Sequence, residues 1–136
     1  KGREPRLWID KYCINQNSID ESLACLPVYL AGCKQLLVLC GRTYLERLWC
    51  ITEMFVFLEM GGERSNLEVR YLHDDMTAYV EDFDIDNAKC CTDEDTWRLR
   101  SVFDAGDCGS GGIHDLVESF PKQEKTPVIR EAWQCV

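Results

Sequence analysis

Apolar residues in this chain fall alternately into short runs and into longer segments with helical spacing. The short run at residues 7–10, in "RLWID", ends on an acid and predicts a buried strand. The run at residues 36–40, in "KQLLVLCG", predicts a second buried strand that Gly41 stops. Residues 67–72, "LEVRYL", partly alternate and predict a third strand.

Helix starts are indicated by two Ser/Thr-x-x-Glu patterns, in which the two side chains satisfy each other's free backbone N–H groups. The pattern at residues 18–21 predicts a helix to about Gly32, with a kink at Pro27. The pattern at residues 43–46 predicts a helix that ends at Gly61 and Gly62. Strand, helix, strand, helix is the order expected of an α/β protein.

The second half of the chain shows weaker patterns. The acidic residues 73–86 predict a surface loop, and residues 92–103 predict a helix capped by Thr92, with Asp95 at the reciprocal position. "GDCGSGG" predicts a flexible connection before a short helix over residues 113–120. We therefore expect one domain over residues 1–121 and a tail over residues 122–136.

Composition and charge exclude several classes of function. The 136 residues are 46% hydrophobic and 10% aromatic, which suits one globular domain with a core. The net charge of -9 disfavours a nucleic-acid partner, which needs a basic surface. No apolar run has the roughly 18 to 20 residues of a membrane span, and the first ten residues lack a secretory signal, so we expect a soluble cytoplasmic protein with no membrane partner.

Nine cysteines raise the question of a disulfide or zinc framework, but their number is odd and no pair has the C-x-x-C spacing. Thiols such as Cys33, Cys40 and Cys50 lie among apolar residues, which predicts reduced core thiols. The His73-Asp74-Asp75 and His114-Asp115 groups are typical of a solvated surface. No metal site is predicted.

Two segments carry a resemblance to known families. "LWIDKYCINQN" resembles the signature of the HET (heterokaryon incompatibility) domain of fungal cell-death proteins. "TYLERLWCITEMFVF" is similar to the HET segment in which an aromatic residue, an Arg and a Trp precede a Glu, and to the W-C-x-x-E segment of TIR domains. The resemblance covers roughly residues 5–72.

The resemblance implies a flavodoxin-like, TIR-like fold, in which helices flank a parallel sheet and ligands bind at the carboxyl ends of the strands. Asp10 and Gly41 would lie at that edge. In TIR enzymes the Glu of the W-C-x-x-E helix is needed to cleave the bond between nicotinamide and ribose in NAD, and the matching residue here is Glu53. NAD would be the substrate, and no cofactor is implied.

The chemistry expected of Glu53 is electrostatic. Nicotinamide leaves as a neutral molecule, so one carboxylate that stabilises the positive charge developing on the ribose suffices. Trp49 is four residues away and would share the helix face and the ligand. Further substrate contacts are expected from Asp10 and from residues that follow it, namely Tyr12, Asn15 and Gln16.

Ordinary structural roles explain the same residues without a ligand. Trp49 and Glu53 also suit the edge of a core helix, and Asn15 and Gln16 are good turn residues. HET and TIR domains have a further strand upstream of the one matched by "LWID", and this strand is expected to be missing here. Two functions therefore stay open: NAD hydrolysis in immunity or cell-death signalling, and non-catalytic self-association with like domains.

Overall fold

The structure is a computed structural model that describes residues 4, 6–13, 19–106 and 109–122. Eight helices and strands occur in these residues, in chain order α1 (Asp10–Cys13), α2 (Ile19–Ala31), β1 (Leu36–Cys40), α3 (Leu48–Glu59), β2 (Leu67–Tyr71), α4 (Thr77–Glu81), α5 (Asp93–Ala105) and α6 (Gly109–Glu118). Two short 3-10 turns, Arg64–Asn66 and Ile85–Asn87, precede β2 and follow α4. This part of the chain is a mixed α/β protein.

Strands β1 and β2 form a two-stranded parallel sheet, and the described residues contain no other strand. Leu36 pairs with Leu67 at one end of the ladder, and Cys40 pairs with Tyr71 at the other. Helix α3 connects the two strands, as a parallel pair requires. The predicted strands at residues 36–40 and 67–72 are therefore confirmed, with the second ending at Tyr71.

Helix α3 lies at the centre of the core because apolar residues occur on nearly all of its sides. Eight of its twelve residues are buried, namely Leu48, Cys50, Ile51, Thr52, Met54, Phe55, Val56 and Phe57. The helix packs against α2 on one side and α5 on another. At its end Gly61 takes a positive φ of 91°, which glycine adopts readily, so the predicted stop at this glycine pair is confirmed.

The prediction of a strand at residues 7–10 is wrong. Residues 6–9 have no regular structure, and Asp10 begins the short helix α1. Trp8 stacks on Tyr29 of α2, with ring centroids 5.6 Å apart, and packs against the core. Of the apolar residues that suggested a strand, Trp8 thus packs its ring on helix α2.

The predicted helix start at residues 43–46 is also wrong. These residues form turns, and α3 begins at Leu48, after Arg47. The backbone N–H of Lys89 donates to the carbonyl of Glu46 at 2.9 Å, and that of Leu48 donates to the carbonyl of Lys89 at 3.1 Å. This isolated parallel bridge holds the chain extended at the point where the pattern predicted a helical turn.

Two predicted loops contain helices. Helix α4 lies within the expected loop at residues 73–86, where Met76, Val80 and Phe83 are buried at helical spacing. Helix α6 begins at Gly109, inside the expected flexible "GDCGSGG" segment. The helix predicted from residue 92 is confirmed as α5, since the Oγ1 of Thr92 accepts the N–H of Asp95 at 3.1 Å.

Candidate functional site

Trp49 and Glu53 mark a less buried strip on the otherwise buried helix α3. Both side chains are half-buried, whereas Cys50 and Met54, the residues that follow each of them, are buried. Helix α3 follows β1 through the turn at residues 42–46, so its first turns lie toward the carboxyl ends of the strands. The strip therefore places one carboxylate near the sheet edge at which the resemblance predicts a ligand.

The indole of Trp49 holds the carboxylate of Glu53. Its Nε1–H donates to Oε1 of Glu53 at 3.2 Å, across one helical turn. A hydrogen bond from a half-buried ring restricts the rotamers of the carboxylate. The structure thus brings together the two residues that the W-C-x-x-E resemblance singled out.

Tyr44 lies near enough to Glu53 for the carboxylate to affect its pKa. Burial raises the pKa of its phenol, and the nearby Cys50, Glu53 and Cys40 raise it further, while Arg47 lowers it. Tyr44 therefore stays protonated at neutral pH and brings an O–H group to the surroundings of Glu53. It was absent from the predicted site, although the quoted segment contains it as the aromatic residue that precedes Arg47 and Trp49.

A second neighbour comes from far along the chain. Cys90 follows the bridge residue Lys89, and its thiol lies close to the backbone N–H of Trp49 and the hydroxyl of Thr96. Burial raises the pKa of this thiol, and the hydrogen bond from Thr96 opposes that rise. Cys90 is thus a protonated packing residue beside the strip, and no local sequence pattern indicates this contact.

The other predicted site residues do not all come together with Glu53. Tyr12 lies on α1 with 80% of its surface exposed, and Gly41 is half-buried directly after β1. Asp10 is the first residue of helix α1. Asn15 and Gln16 lie outside the described residues. The described contacts therefore assemble the Trp49–Glu53 half of the predicted site.

A cavity of about 390 Å³ lies at the opposite edge of the sheet. It opens between the end of α2, Cys33 and Lys34 before β1, the loop at residues 60–62 after α3, and Asn66 before β2. These segments precede the strands, so the cavity faces their amino ends. Glu53 is not among its lining residues, whereas the resemblance implies a ligand at the carboxyl ends of the strands.

The described residues include seven cysteines and one group of possible metal ligands. The seven cysteines in the described residues, Cys13, Cys25, Cys33, Cys40, Cys50, Cys90 and Cys91, are free thiols. His114, Asp115 and Glu118 offer ligand atoms within 4.8 Å of one another, but all three are exposed on α6. His114 Nδ1 lies 3.5 Å from Glu118, as expected of a surface pair one helical turn apart.

Comparisons with known proteins found no match to the chain among family models, curated proteins or solved structures. In the part of the chain that the structure describes, no helix combines the length and apolar character needed to cross a membrane.

Proposed function

We propose that this chain is a TIR/HET-like signalling domain that hydrolyses NAD at the nicotinamide–ribose bond, with Glu53 as the carboxylate that the reaction needs. The proposal is supported by the two quoted motifs. The observation that carries it is the hydrogen bond of 3.2 Å from the indole of Trp49 to Glu53 on a strip that is half-buried. A carboxylate held beside an aromatic ring suits a cationic, aromatic substrate.

In the proposed reaction, the bond between C1′ of the ribose and N1 of nicotinamide breaks, and its electron pair goes to the ring nitrogen. Neutral nicotinamide leaves, and positive charge develops on the ribose. Water then bonds to C1′ and releases a proton, which gives ADP-ribose. Glu53 stabilises the developing charge, and this stabilisation is strongest where the site excludes bulk water.

Nicotinamide release from NAD tests the proposal. Glu53→Gln keeps the shape of the side chain but removes its charge. Because one positioned electrostatic contact is worth roughly 3 to 4 kcal/mol, turnover should fall by at least about a hundredfold. Glu59→Gln is the matched control, since Glu59 is exposed at the end of the same helix and should leave turnover unchanged.

Circular dichroism and the unfolding midpoint should be the same for both variants, so that a loss of rate reports on chemistry. Equal turnover in the Glu53→Gln variant and the unaltered chain would remove Glu53 from the mechanism. Failure of the unaltered chain to release nicotinamide at any protein concentration would overturn the hydrolase proposal.

The second candidate is non-catalytic self-association with like domains, in which Glu53 has a structural role. One observation favours it. The cavity lies at the opposite edge of the sheet, and Glu53 is not among its lining residues. Reversible association measured by sedimentation, together with no release of nicotinamide, would select this function over hydrolysis.

A further inference from the structure

Within the described residues, one face of the sheet is exposed and partly apolar. Along β1, Val38 and Cys40 are buried in the core, whereas Leu37 and Leu39 point the other way with 56% and 50% of their surfaces exposed. Exposed leucines in the middle of a strand leave apolar surface in contact with water, which is unfavourable. Some other surface is therefore expected to cover these two side chains.

Parallel sheets support this expectation, because they are normally covered on both faces. Strand β1 is apolar along its whole length, "LLVLC", as is typical of strands buried on both sides. In the described residues the helices of the core cover one side only, the side of Val38 and Cys40. The β1 half of the uncovered side thus has the composition of an interior surface.

Charged residues complete this open face, which we define by Leu37, Leu39, Glu68 and Arg70. In the register of the sheet Leu37 lies beside Glu68, and Leu39 lies beside Arg70. Glu68 pairs with Arg70 along β2 and accepts a hydrogen bond of 3.0 Å from Gln35. On the open face, β1 therefore contributes two apolar side chains, and β2 contributes one acidic and one basic side chain.

We propose that the open face is the surface on which a second copy of this chain packs, sheet against sheet, about a two-fold axis. The inference rests on the self-association function proposed above and identifies its surface. The two-fold axis is perpendicular to the strands and lies midway between the two sheets. It places Leu37 of one copy over Leu39 of the other, and Glu68 of one copy over Arg70 of the other. Apolar side chains meet apolar side chains, and each charge meets its opposite.

Self-complementarity of this kind is what an isologous dimer needs, because the same patch must fit itself. A partner of uniform charge would instead set either Glu68 or Arg70 against a like charge. Aligned packing of two sheets about 10 Å apart lets the leucines interdigitate. The patch is small, so the dimer belongs with weak, reversible complexes.

Sedimentation equilibrium from low micromolar to near-millimolar concentration tests the proposal. The chain should move from monomer to dimer. Leu39→Glu puts a charge into the apolar contact, so it should raise the dimer Kd at least about tenfold. Val28→Glu is the control, because Val28 is 73% exposed on α2 and lies outside the open face, and its Kd should be unchanged.

A charge exchange provides a test that does not depend on one variant. Arg70→Glu should weaken the dimer, because it sets like charges against each other across the two-fold axis. The double variant Glu68→Arg with Arg70→Glu restores the pairing and should recover most of the affinity. Failure of the double variant to recover affinity, with its fold intact by circular dichroism, would overturn the two-fold arrangement.

A photo-reactive residue in place of Leu39 identifies the occupant directly. The expected product joins two chains through their β1 strands, which mixed isotope-labelled chains distinguish from a link within one chain. A cross-link within a single chain, or a chain that stays monomeric throughout, would show another occupant and overturn the proposal. A dimer unaffected by Leu39→Glu would keep self-association but reject this surface. Nicotinamide release is measured separately and tests hydrolysis alone.

Discussion

Gly106 is the residue that follows α5, and it lies against the ring of Phe55 on the central helix α3. A Cβ atom added to Gly106 would lie 2.2 Å from Cζ of Phe55 and 3.1 Å from its Cε1. Phe55 is buried on α3 and packs edge-to-face against Phe103 of α5, with ring centroids 5.0 Å apart. The Gly106→Ala variant therefore forces one methyl group into a packed aromatic contact.

The size of the effect follows from the overlap. Carbon atoms in contact lie about 3.5 to 4.0 Å apart, so the Phe55 ring must move by more than roughly 1 Å. Overpacking of this kind costs about 1 to 3 kcal/mol of the free energy of unfolding. For a chain of this length, the melting temperature should fall by roughly 3 to 15 °C.

Urea unfolding followed by circular dichroism measures this change, with Gly111→Ala as the matched control. Gly111 is exposed on α6, and an added Cβ there meets nothing within 4 Å. Alanine is the better helix former, so this control should stabilise the protein by about 0.5 to 1 kcal/mol. The same chemical change thus has opposite signs at the two positions.

A double-mutant cycle separates the clash from any effect on the backbone. Phe55→Leu removes the ring atoms that Ala at position 106 would meet, so the loss from Gly106→Ala should shrink in that background. An equal loss in both backgrounds, or a Gly106→Ala variant as stable as the unaltered chain, would refute the packing argument.

Two further predictions concern a helix cap and a buried thiol. Thr92→Ala should lower the free energy of unfolding by about 0.5 to 2 kcal/mol, because Thr92 caps α5, whereas Thr43→Ala in the exposed turn should change it little in the same urea assay. Burial raises the pKa of Cys40 to about 11, so mass spectrometry after alkylation near neutral pH should find exposed Cys91 modified before Cys40. Since the folded pKa lies above the ordinary value of 9.0, the stability from this thiol is full below that pH and should decrease between about pH 9 and 11. Modification of Cys40 as fast as Cys91, or a flat stability profile over that range compared with Cys40→Ala, would contradict the assignment.

The sequence patterns correctly predicted those elements that depend on interactions between neighbouring residues. The strand "LLVLC", the cap at Thr92 and the end of α3 at its glycine pair each depend on neighbouring residues, and each was predicted. Helix α4 was missed although Met76 and Val80 have helical spacing, because its acidic surroundings suggested a loop. The prediction of a loop gave the acidic residues of this segment more weight than the helical spacing of its apolar residues.

The remaining differences come from contacts between distant parts of the chain. The start of α3 depends on Lys89, and the path of residues 6–9 depends on Trp8 stacking on Tyr29. The Trp49–Glu53 half of the site was predictable because it spans one helical turn. Its neighbours Tyr44 and Cys90 act through tertiary packing, which a single sequence does not display.

The start of helix α3 also bears on the order in which the protein folds. The N–H of Leu45 donates to the hydroxyl of Tyr79 at 2.8 Å, 34 residues along the chain, and the N–H of Leu48 bonds to Lys89 further still. Loops of that length must close before these bonds form, and loop closure opposes folding entropically. Helix ends usually fray first, but this end is anchored by the second half of the molecule. The position at which the helix that carries Glu53 begins therefore depends on contacts with the second half of the chain.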